Sequence, residues 1–405
     1  MHILLIHQAF VTLDEAGGTR HHELARYLAQ RGHRVTIIAS PVSYLTGKSA
    51  TPAYTEDDLD DRITILRTYT YAALHRSFVH RVFSFFSFMA SSFLAGLKVR
   101  QVDLVWGTSP PIFQGVTAWL LARLKGSPFL FEVRDLWPIF AIQVGVLRNP
   151  LLIRMSQWLE RFLYRRADQV MVNSPGFIEH VHSRGAKRIA LVPNGADMSM
   201  FDPAADGKAF RQKHGLEGKY VALYAGAHGI SNDLGVVLQA AILLKEQPEV
   251  AIVLLGDGKE KANLLAQAEQ MGIDNVYFIP PVPKSGMGEA LAAADACIGI
   301  LKPVPMYATV YPNKIFDYMA AGRPTILAME GVIRQVIEKA EGGIATPPGD
   351  PQALADAIRR LAGDPKAGQQ MGHNARRYLE THFDRTALAL KLAELFEGMK
   401  KKGNS

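Results

Sequence analysis

Tyr220-Val221-Ala222-Leu223-Tyr224 is a short apolar run that stops at the glycine-rich turn Gly226-Ala227-His228-Gly229, after which helical periodicity begins near Asn232. Such a run reads as a strand of a buried sheet, and the turn as its passage into a helix. The chain opens in the same way. His2–His7 is apolar, Gly17-Gly18 follows, and helical spacing covers Arg20–Arg31. A second beginning of this kind, more than two hundred residues into the chain, implies a second sheet.

The rest of the sequence fills in both sheets. Strand-like runs stand at Arg34–Ala39, Ile63–Arg67, Val102–Trp106, Phe129–Val133, Gln169–Val172 and Ile189–Val192. Stretches of 3.6-residue period lie between them at His21–Arg31, Gln114–Lys125 and Leu151–Arg165. Strand and helix in alternation imply a parallel sheet with helices on both faces. A turn cluster, Pro193-Asn194-Gly195-Ala196-Asp197, and a polar stretch to Lys219 interrupt the order. Further runs then recur at Ala251–Leu255, Val276–Ile279, Ala296–Ile300, Thr325–Ala328 and Gly343–Thr346. The expected fold class is α/β, with two doubly wound Rossmann-like domains and a cleft between them. The expected spans are residues 1–193, 194–383 and a terminal helix over 384–405 that either closes the second domain or packs back on the first. Ligands of such sheets bind beyond the carboxyl ends of the strands.

Composition narrows the class. At 405 residues, 48% hydrophobic and 20% charged, the chain is ordinary for a globular protein of two or three domains. One cysteine, Cys297, excludes a disulfide scaffold and a multi-cysteine metal site. No basic stretch precedes an apolar signal core at the N-terminus, so the cytosol is the expected compartment. The net charge of +7 is uneven, with 15 Lys/Arg against 6 Asp/Glu between Arg76 and Arg188. That half attracts phosphates or an anionic surface. No recognition helix, zinc-finger spacing or aromatic-basic motif accompanies it, which argues against nucleic acid as the partner.

One segment stands apart. Residues 82–97 carry no charge, and six phenylalanines fall between Phe78 and Phe93. The run is shorter than the ~20 residues that a spanning helix needs. Its basic flanks and aromatic bulk suit a helix near 76–100 lying in a membrane interface; a helix packed on the first sheet is the alternative. A second basic stretch, Arg154–Arg166, interleaves arginines with Trp158, Leu159, Phe162 and Leu163. The acidic run Glu56–Asp61 contains Asp58-Leu59-Asp60, a possible metal-binding spacing, but it reads as a polar loop before the strand at Ile63.

Three places carry chemistry. Gly17-Gly18 lets the backbone approach a bound group at a helix start. His228 follows a strand at a position where a side chain would face a phosphate. Between Lys302 and Asp317, a proline-bearing loop leads to Pro312-Asn313-Lys314 and a new helix. Proline at a helix start leaves N–H groups free for phosphate oxygens, Lys314 adds a point charge, and Asp317 can accept from ribose hydroxyls.

The segment "VYPNKIFDYMAAGRPTIL" resembles the donor-binding element of the family 4 retaining glycosyltransferases, which have the two-Rossmann (GT-B) fold. Within that family the chain is similar to a subgroup that builds bacterial O-antigen and capsular polysaccharide, including N-acetylfucosaminyl- and colanic-acid-type transferases. "GGTRHHELARYLAQRGHRVTII", "GTSPPIFQG", "FEVRDLWP", "VPNGAD", "YAGAHGISNDL", "LGDGKEK" and "FIPPVPKSGM" follow in the same order over nearly the whole chain. The resemblance implies that Gly17, Gly18 and Gly226 approach the donor diphosphate. It implies that His228, Lys302, Asn313 and Lys314 lie near the phosphates, that Asp317 binds ribose, and that Arg134-Asp135 faces the sugar. The family's paired glutamates, eight residues apart, would fall on Thr309 and Asp317, so one carboxylate is absent and the other shortened. The family's Arg-Lys pair after the first strand of the second domain is also missing, which leaves more phosphate charge to His228, Lys302 and Lys314.

The implied reaction moves a sugar, an N-acetylamino sugar in this subgroup, from a UDP-sugar to a lipid-linked, polyprenyl-diphosphate saccharide, with retention of configuration. Cations placed where charge develops on the leaving diphosphate would supply most of the stabilisation. Asp135, Arg134, His228 and Lys302 are the expected catalytic residues. Gly17, Gly18, Gly226, Asn313, Lys314 and Asp317 are the expected nucleotide-sugar ligands. No metal and no separate cofactor are expected. The setting would be the cytoplasmic side of the inner membrane, as a peripheral protein. Two alternatives stand beside this reading: a nucleotide-sugar epimerase of the same fold, and a membrane scaffold without catalysis.

Overall fold

The first sheet contains β1 (His2–Ile6), β2 (Arg34–Ala39), β3 (Thr55–Asp60), β4 (Ile63–Arg67), β5 (Leu104–Ser109), β6 (Phe129–Val133), β7 (Gln169–Val172) and β8 (Ile189–Leu191), of which β1, β5, β6 and β7 are buried throughout. The computed structural model describes residues 1–43, 47, 49, 55–72 and 78–403. The strand order is β3-β4-β2-β1-β5-β6-β7-β8. Every neighbouring pair is parallel except β3 with β4. The acidic run read as a loop is therefore mostly an antiparallel edge strand. Its charges suit that place, because an edge rich in like charges resists pairing with another chain.

The second sheet contains β9 (Tyr220–Ala225), β10 (Val250–Leu255), β11 (Val276–Ile279), β12 (Ala296–Ile300), β13 (Thr325–Ala328) and β14 (Gly343–Ala345). Its order is β11-β10-β9-β12-β13-β14, all parallel. Alternate residues of β9 serve opposite faces: Val221 and Leu223 join one core, Ala222 and Tyr224 the other. That two-residue period, with both sides apolar, is what a helix-covered parallel strand requires.

Each sheet has one point where the chain turns back and the winding reverses. In the first it lies between β1 and β5, in the second between β9 and β12. The pairing of β9 with β12 covers only Ala222 with Ala296 and Leu223 with Cys297, although both strands run on. Their carboxyl ends thus part, and a crevice opens there by construction.

The chain divides into two compact units. The first comprises Met1–Thr12, Gly18–Pro193 and Thr386–Ser405, the second Leu13–Gly17 and Asn194–Arg385. Leu388, Leu392 and Phe396 of the last helix (Arg385–Gly403) share a core with Ile3, Leu5 and Trp106, so this helix completes the first unit.

Helices of the first unit needed below are α1 (Arg20–Gln30), α2 (Phe78–Lys98), α3 (Phe113–Lys125), α4 (Ile139–Gln143) and α5 (Pro150–Arg166). Asn149 starts α5 by accepting from the Leu151 and Leu152 amides at 3.0 and 3.2 Å, and Pro150 occupies the first turn. The phenylalanine-rich segment is helical from Phe78; residues 76 and 77 of the expected helix lie outside the described residues. No described helix is long and apolar enough to cross a membrane.

Candidate functional site

In the second unit two of the expected donor residues, Gly226 and Lys314, meet at the end of β9. Gly226 follows β9 with φ of +149°, a conformation open to glycine, and a Cβ there would stand 2.9 Å from Lys314 Nζ. Lys314 reaches it from the second residue of the helix Asn313–Ala320. Its Nζ donates to Tyr224 Oη at 2.6 Å, lies 3.3 Å from Asn232 Oδ1, and stands 4.0 Å from the centre of the Tyr224 ring. Tyr224 in turn donates to the Ala227 carbonyl at 2.8 Å, which pins the glycine turn. Burial pulls the Lys314 ammonium down to about 7, so an arriving diphosphate would restore its charge.

His228 is fully buried, and neither ring nitrogen has a hydrogen-bond partner. Burial first, and then Lys261 and Lys314, hold its pKa at about 4, against an opposing pull from Asp257. It is a neutral imidazole with unused polar edges. Its backbone is locked on both sides, since its amide donates to the Asp257 carbonyl at 2.8 Å and its carbonyl accepts from the Glu260 amide at 2.9 Å. The Lys302 amide donates to the Ser231 carbonyl at 3.0 Å, which ties the end of β12 to the same loop. Asn313 sits at the helix start with its side-chain oxygen buried and unbonded.

Asp317 departs from the simplest expectation. It pairs with Lys284 at 2.6 Å, and Lys284 also stands 5.1 Å from the Phe201 ring centre. Sequence reasoning named neither Lys284 nor Lys261. Lys261 donates to the Gly256 carbonyl at 2.9 Å and is the first residue of the helix Lys261–Gln270. Its signal was present in "LGDGKEK", a cation placed just after a glycine turn. Tyr224 carried no signal, because a tyrosine ending an apolar strand reads as core.

In the first unit Arg134 and Asp135 follow β6. Arg134 donates to the Ser109 carbonyl from its amide at 3.1 Å and from Nε at 3.4 Å, and its Nη1 lies 3.4 Å from His7 Nε2. His7, one residue past β1, is buried, and its Nδ1 lies 3.1 Å from Thr108 Oγ1. Burial, with His21 and Arg134 nearby, lowers its pKa well below the usual range. It is thus neutral and can accept from the guanidinium. Burial pushes Asp135 up to about 6 against the pull of Arg134. No hydrogen bond or ion pair engages the Asp135 carboxylate among the described residues, which leaves it available to a substrate hydroxyl.

Beneath these residues Glu132 is fully buried and accepts from Arg20 Nε at 3.2 Å, His21 Nε2 at 2.7 Å and Trp106 Nε1 at 3.0 Å. Arg20 also donates to the Val192 and Pro193 carbonyls at 2.8 Å each, which fixes the start of α1. Gly17 has φ of +152° and belongs to the second unit, while Gly18 belongs to the first.

Two family models match the chain. Residues 16–195 match the glycosyl transferase 4-like domain, and residues 206–378 match glycosyl transferases group 1. A protein of Escherichia coli K12 named as a colanic acid biosynthesis glycosyl transferase, WcaI, is 25% identical over 90% of this chain and 91% of its own length. Among solved structures, sucrose-phosphate synthase from Thermosynechococcus elongatus superposes with a TM-score of 0.78 at 20% identity, covering 98% of each chain. Anabaena HepE in complex with UDP-glucose superposes at 0.72 with 18% identity, over 98% of this chain and 100% of that one.

Proposed function

We propose that this chain, which belongs to the family 4 glycosyltransferases of GT-B fold, moves a sugar from a UDP-sugar to a lipid-linked saccharide during synthesis of a bacterial surface polysaccharide. The observation that carries the donor half is the meeting of Lys314, Gly226 and the unbonded His228 where β9 and β12 part. No carboxylate pairs with Lys314 among the described residues. A cation without an anion, beside a close-approach glycine and free imidazole nitrogens, suits a diphosphate. HepE with UDP-glucose and the colanic acid relative support UDP as carrier and a surface polysaccharide as product. An N-acetylamino sugar and a polyprenyl-diphosphate acceptor complete the reading.

In the transfer, the acceptor oxygen bonds to the anomeric carbon as the bond to the diphosphate breaks, on the same face of the sugar, and the hydroxyl's proton passes to the departing diphosphate oxygen. Lys314 and Lys302 stabilise the charge gathering on the leaving phosphate, and His228 positions it. Asp135 holds the acceptor hydroxyl, and Arg134, braced by His7, places its positive charge beside that carboxylate. Asp317 accepts from the ribose, oriented by Lys284.

The acceptor half gains support from the outer surface of the first unit. On α2, Val79, Phe83, Phe86, Leu94 and Leu97 are exposed, and on α5 so are Leu151, Met155 and Trp158. Apolar side chains on helices with basic flanks suit an anionic bilayer surface. The protein acts as a peripheral enzyme on the cytoplasmic face.

Thermal shift with UDP, GDP and ADP, followed by UDP release with and without a polyprenyl-diphosphate saccharide, tests the proposal. UDP should raise Tm most, and UDP-N-acetylglucosamine should release UDP only with acceptor present. A preference for GDP would overturn the donor assignment, and acceptor-independent interconversion of UDP-sugars would replace transfer with epimerisation.

A further inference from the structure

A line of aromatic rings runs from the exposed face of α2 to the Arg134–Asp135 loop. The Phe86 ring lies 5.1 Å and the Phe85 ring 5.9 Å from that of Phe113, the first residue of α3. Phe113 lies 6.1 Å from Trp137, edge to face. Trp137 is two residues beyond Asp135, and its amide donates to the Asp135 carbonyl at 2.9 Å. Phe85, Phe113 and Trp137 are half-buried, and Phe86 is 44% exposed. The rings are packed on one another, and each residue keeps part of its surface exposed.

A second aromatic group, Trp119 with Phe162 at 4.8 Å and Phe162 with Trp158 at 5.4 Å, shows by contrast what is particular to the first. It joins α3 to α5, and none of its rings lies in the loop that carries Arg134 and Asp135. Only the first line ends in the loop of Asp135, whose carboxylate no hydrogen bond or ion pair engages among the described residues.

We infer that the line Phe86–Phe113–Trp137 is a lane for the apolar chain of a single-chain anionic amphiphile, whose hydroxyl-bearing head is delivered to Asp135. The inference rests on the proposed lipid-linked acceptor and adds the path by which it is held. A row of rings in succession suits a linear prenyl chain, which gains by burying methylenes against ring faces. The segment from Arg76 to Arg188, which carries all of these rings, holds 15 Lys/Arg against 6 Asp/Glu, a balance that complements a phosphorylated head. The exposed apolar side chains of α2 place the mouth of the lane where a bilayer could hand over the chain.

The test uses the full-length protein without membranes, titrated calorimetrically with inorganic phosphate, farnesol, geranyl phosphate and farnesyl phosphate below their aggregation limits. UDP is titrated in parallel. Farnesyl phosphate should bind about tenfold more tightly than geranyl phosphate, because its extra isoprene unit is partly buried. Farnesol and inorganic phosphate should each bind more weakly than farnesyl phosphate. Trp137→Ala, Phe113→Leu and the solvent-exposed Phe86→Ser should each weaken farnesyl phosphate and flatten the dependence on chain length with unchanged UDP affinity, and Phe86→Ser should do so with unchanged melting temperature. Equal affinity for both prenyl phosphates, equal binding of farnesol, or no effect of Phe86→Ser together with Trp137→Ala would overturn the lane. Loss of UDP binding in the unaltered protein would instead strike the donor assignment, and the prenyl titrations would still decide the lane.

Discussion

The Lys314 ammonium stands 2.6 Å from the Tyr224 hydroxyl and 4.0 Å from the centre of the same ring, at the start of a helix that brings this cation against Gly226. Lys314→Ala should weaken UDP by about 2 kcal/mol, roughly thirtyfold in Kd, since a charged donor to phosphate is lost. Tyr224→Phe should cost less, about 1 kcal/mol, because it removes a guide for that cation and not the cation itself. Calorimetric titration with UDP reads both. Wild-type affinity in Lys314→Ala would displace the phosphate from this crevice.

The pH profile should be narrow. Asp135 must lose its proton to accept a hydroxyl, so kcat/KM should rise through pH about 6. Lys314 must keep its proton to hold the diphosphate, so the same profile should fall above pH about 7 in the free enzyme. With donor bound, phosphate raises the lysine, and the falling limb of kcat should lie at higher pH. Asp135→Asn should remove the rising limb from whatever activity is left. A profile flat from pH 5 to 9 would show that neither group titrates in the reaction, on the scale of these ordinary carboxylate and amine ranges.

Asp317 and Lys284 make a separable pair. Asp317→Asn should leave Lys284 short of its anion and cost about 1–3 kcal/mol in stability. Asp317→Asn with Lys284→Met should regain most of that loss. Both variants should discriminate UDP from 2′-deoxy-UDP less than the unaltered protein does, because a neutral amide oxygen accepts from the ribose more weakly than the carboxylate it replaces. Retained discrimination would remove Asp317 from the nucleotide.

Phe83→Ser, Phe86→Ser and Trp158→Ser together should release the protein from vesicles of phosphatidylglycerol and phosphatidylethanolamine while sparing UDP binding. All three side chains are exposed, so their loss should not disturb the core. Sedimentation with vesicles measures the effect, and undiminished co-sedimentation would place the membrane contact elsewhere.

Glu132 sets the acid limit of the first unit. Burial alone would raise its carboxyl, but His21 and Arg20 hold it at about 2. The folded value lies below the ordinary 4.5, so its stabilisation is full above that pH and fades as pH falls from there through about 2. Glu132→Gln should cost roughly 3–5 kcal/mol, read by urea unfolding at neutral pH.

Much of this architecture was legible because both sheets are parallel and buried. A run such as His2–Ile6 or Val250–Leu255 must be apolar on both faces, and it ends where its hydrogen-bonding partners end. The edge strand Thr55–Asp60 was not legible, because an edge needs neither apolar alternation nor a second neighbour. Lys302 and Lys314 could be found from their distance to a strand end and a helix start. Lys284 and His7 could not, because each is defined by a partner far away in sequence, Asp317 and Arg134. The start of β5 moved from Val102 to Leu104 for a related reason: the Asp103 carboxylate accepts the His2 amide at 2.7 Å and holds the strand off by two residues.

The ring of Phe396 meets Trp106 at 5.4 Å, and Trp106 is the residue that donates to Glu132. The first unit to leave the ribosome thus waits for the last helix to be made. Until residue 396 emerges, the apolar face built from Ile3, Leu5 and Trp106 is covered only in part, by Leu24 and Leu28 of α1, and the second unit can finish folding first. A stop codon before the final helix would therefore harm the beginning of the protein more than the part it directly follows.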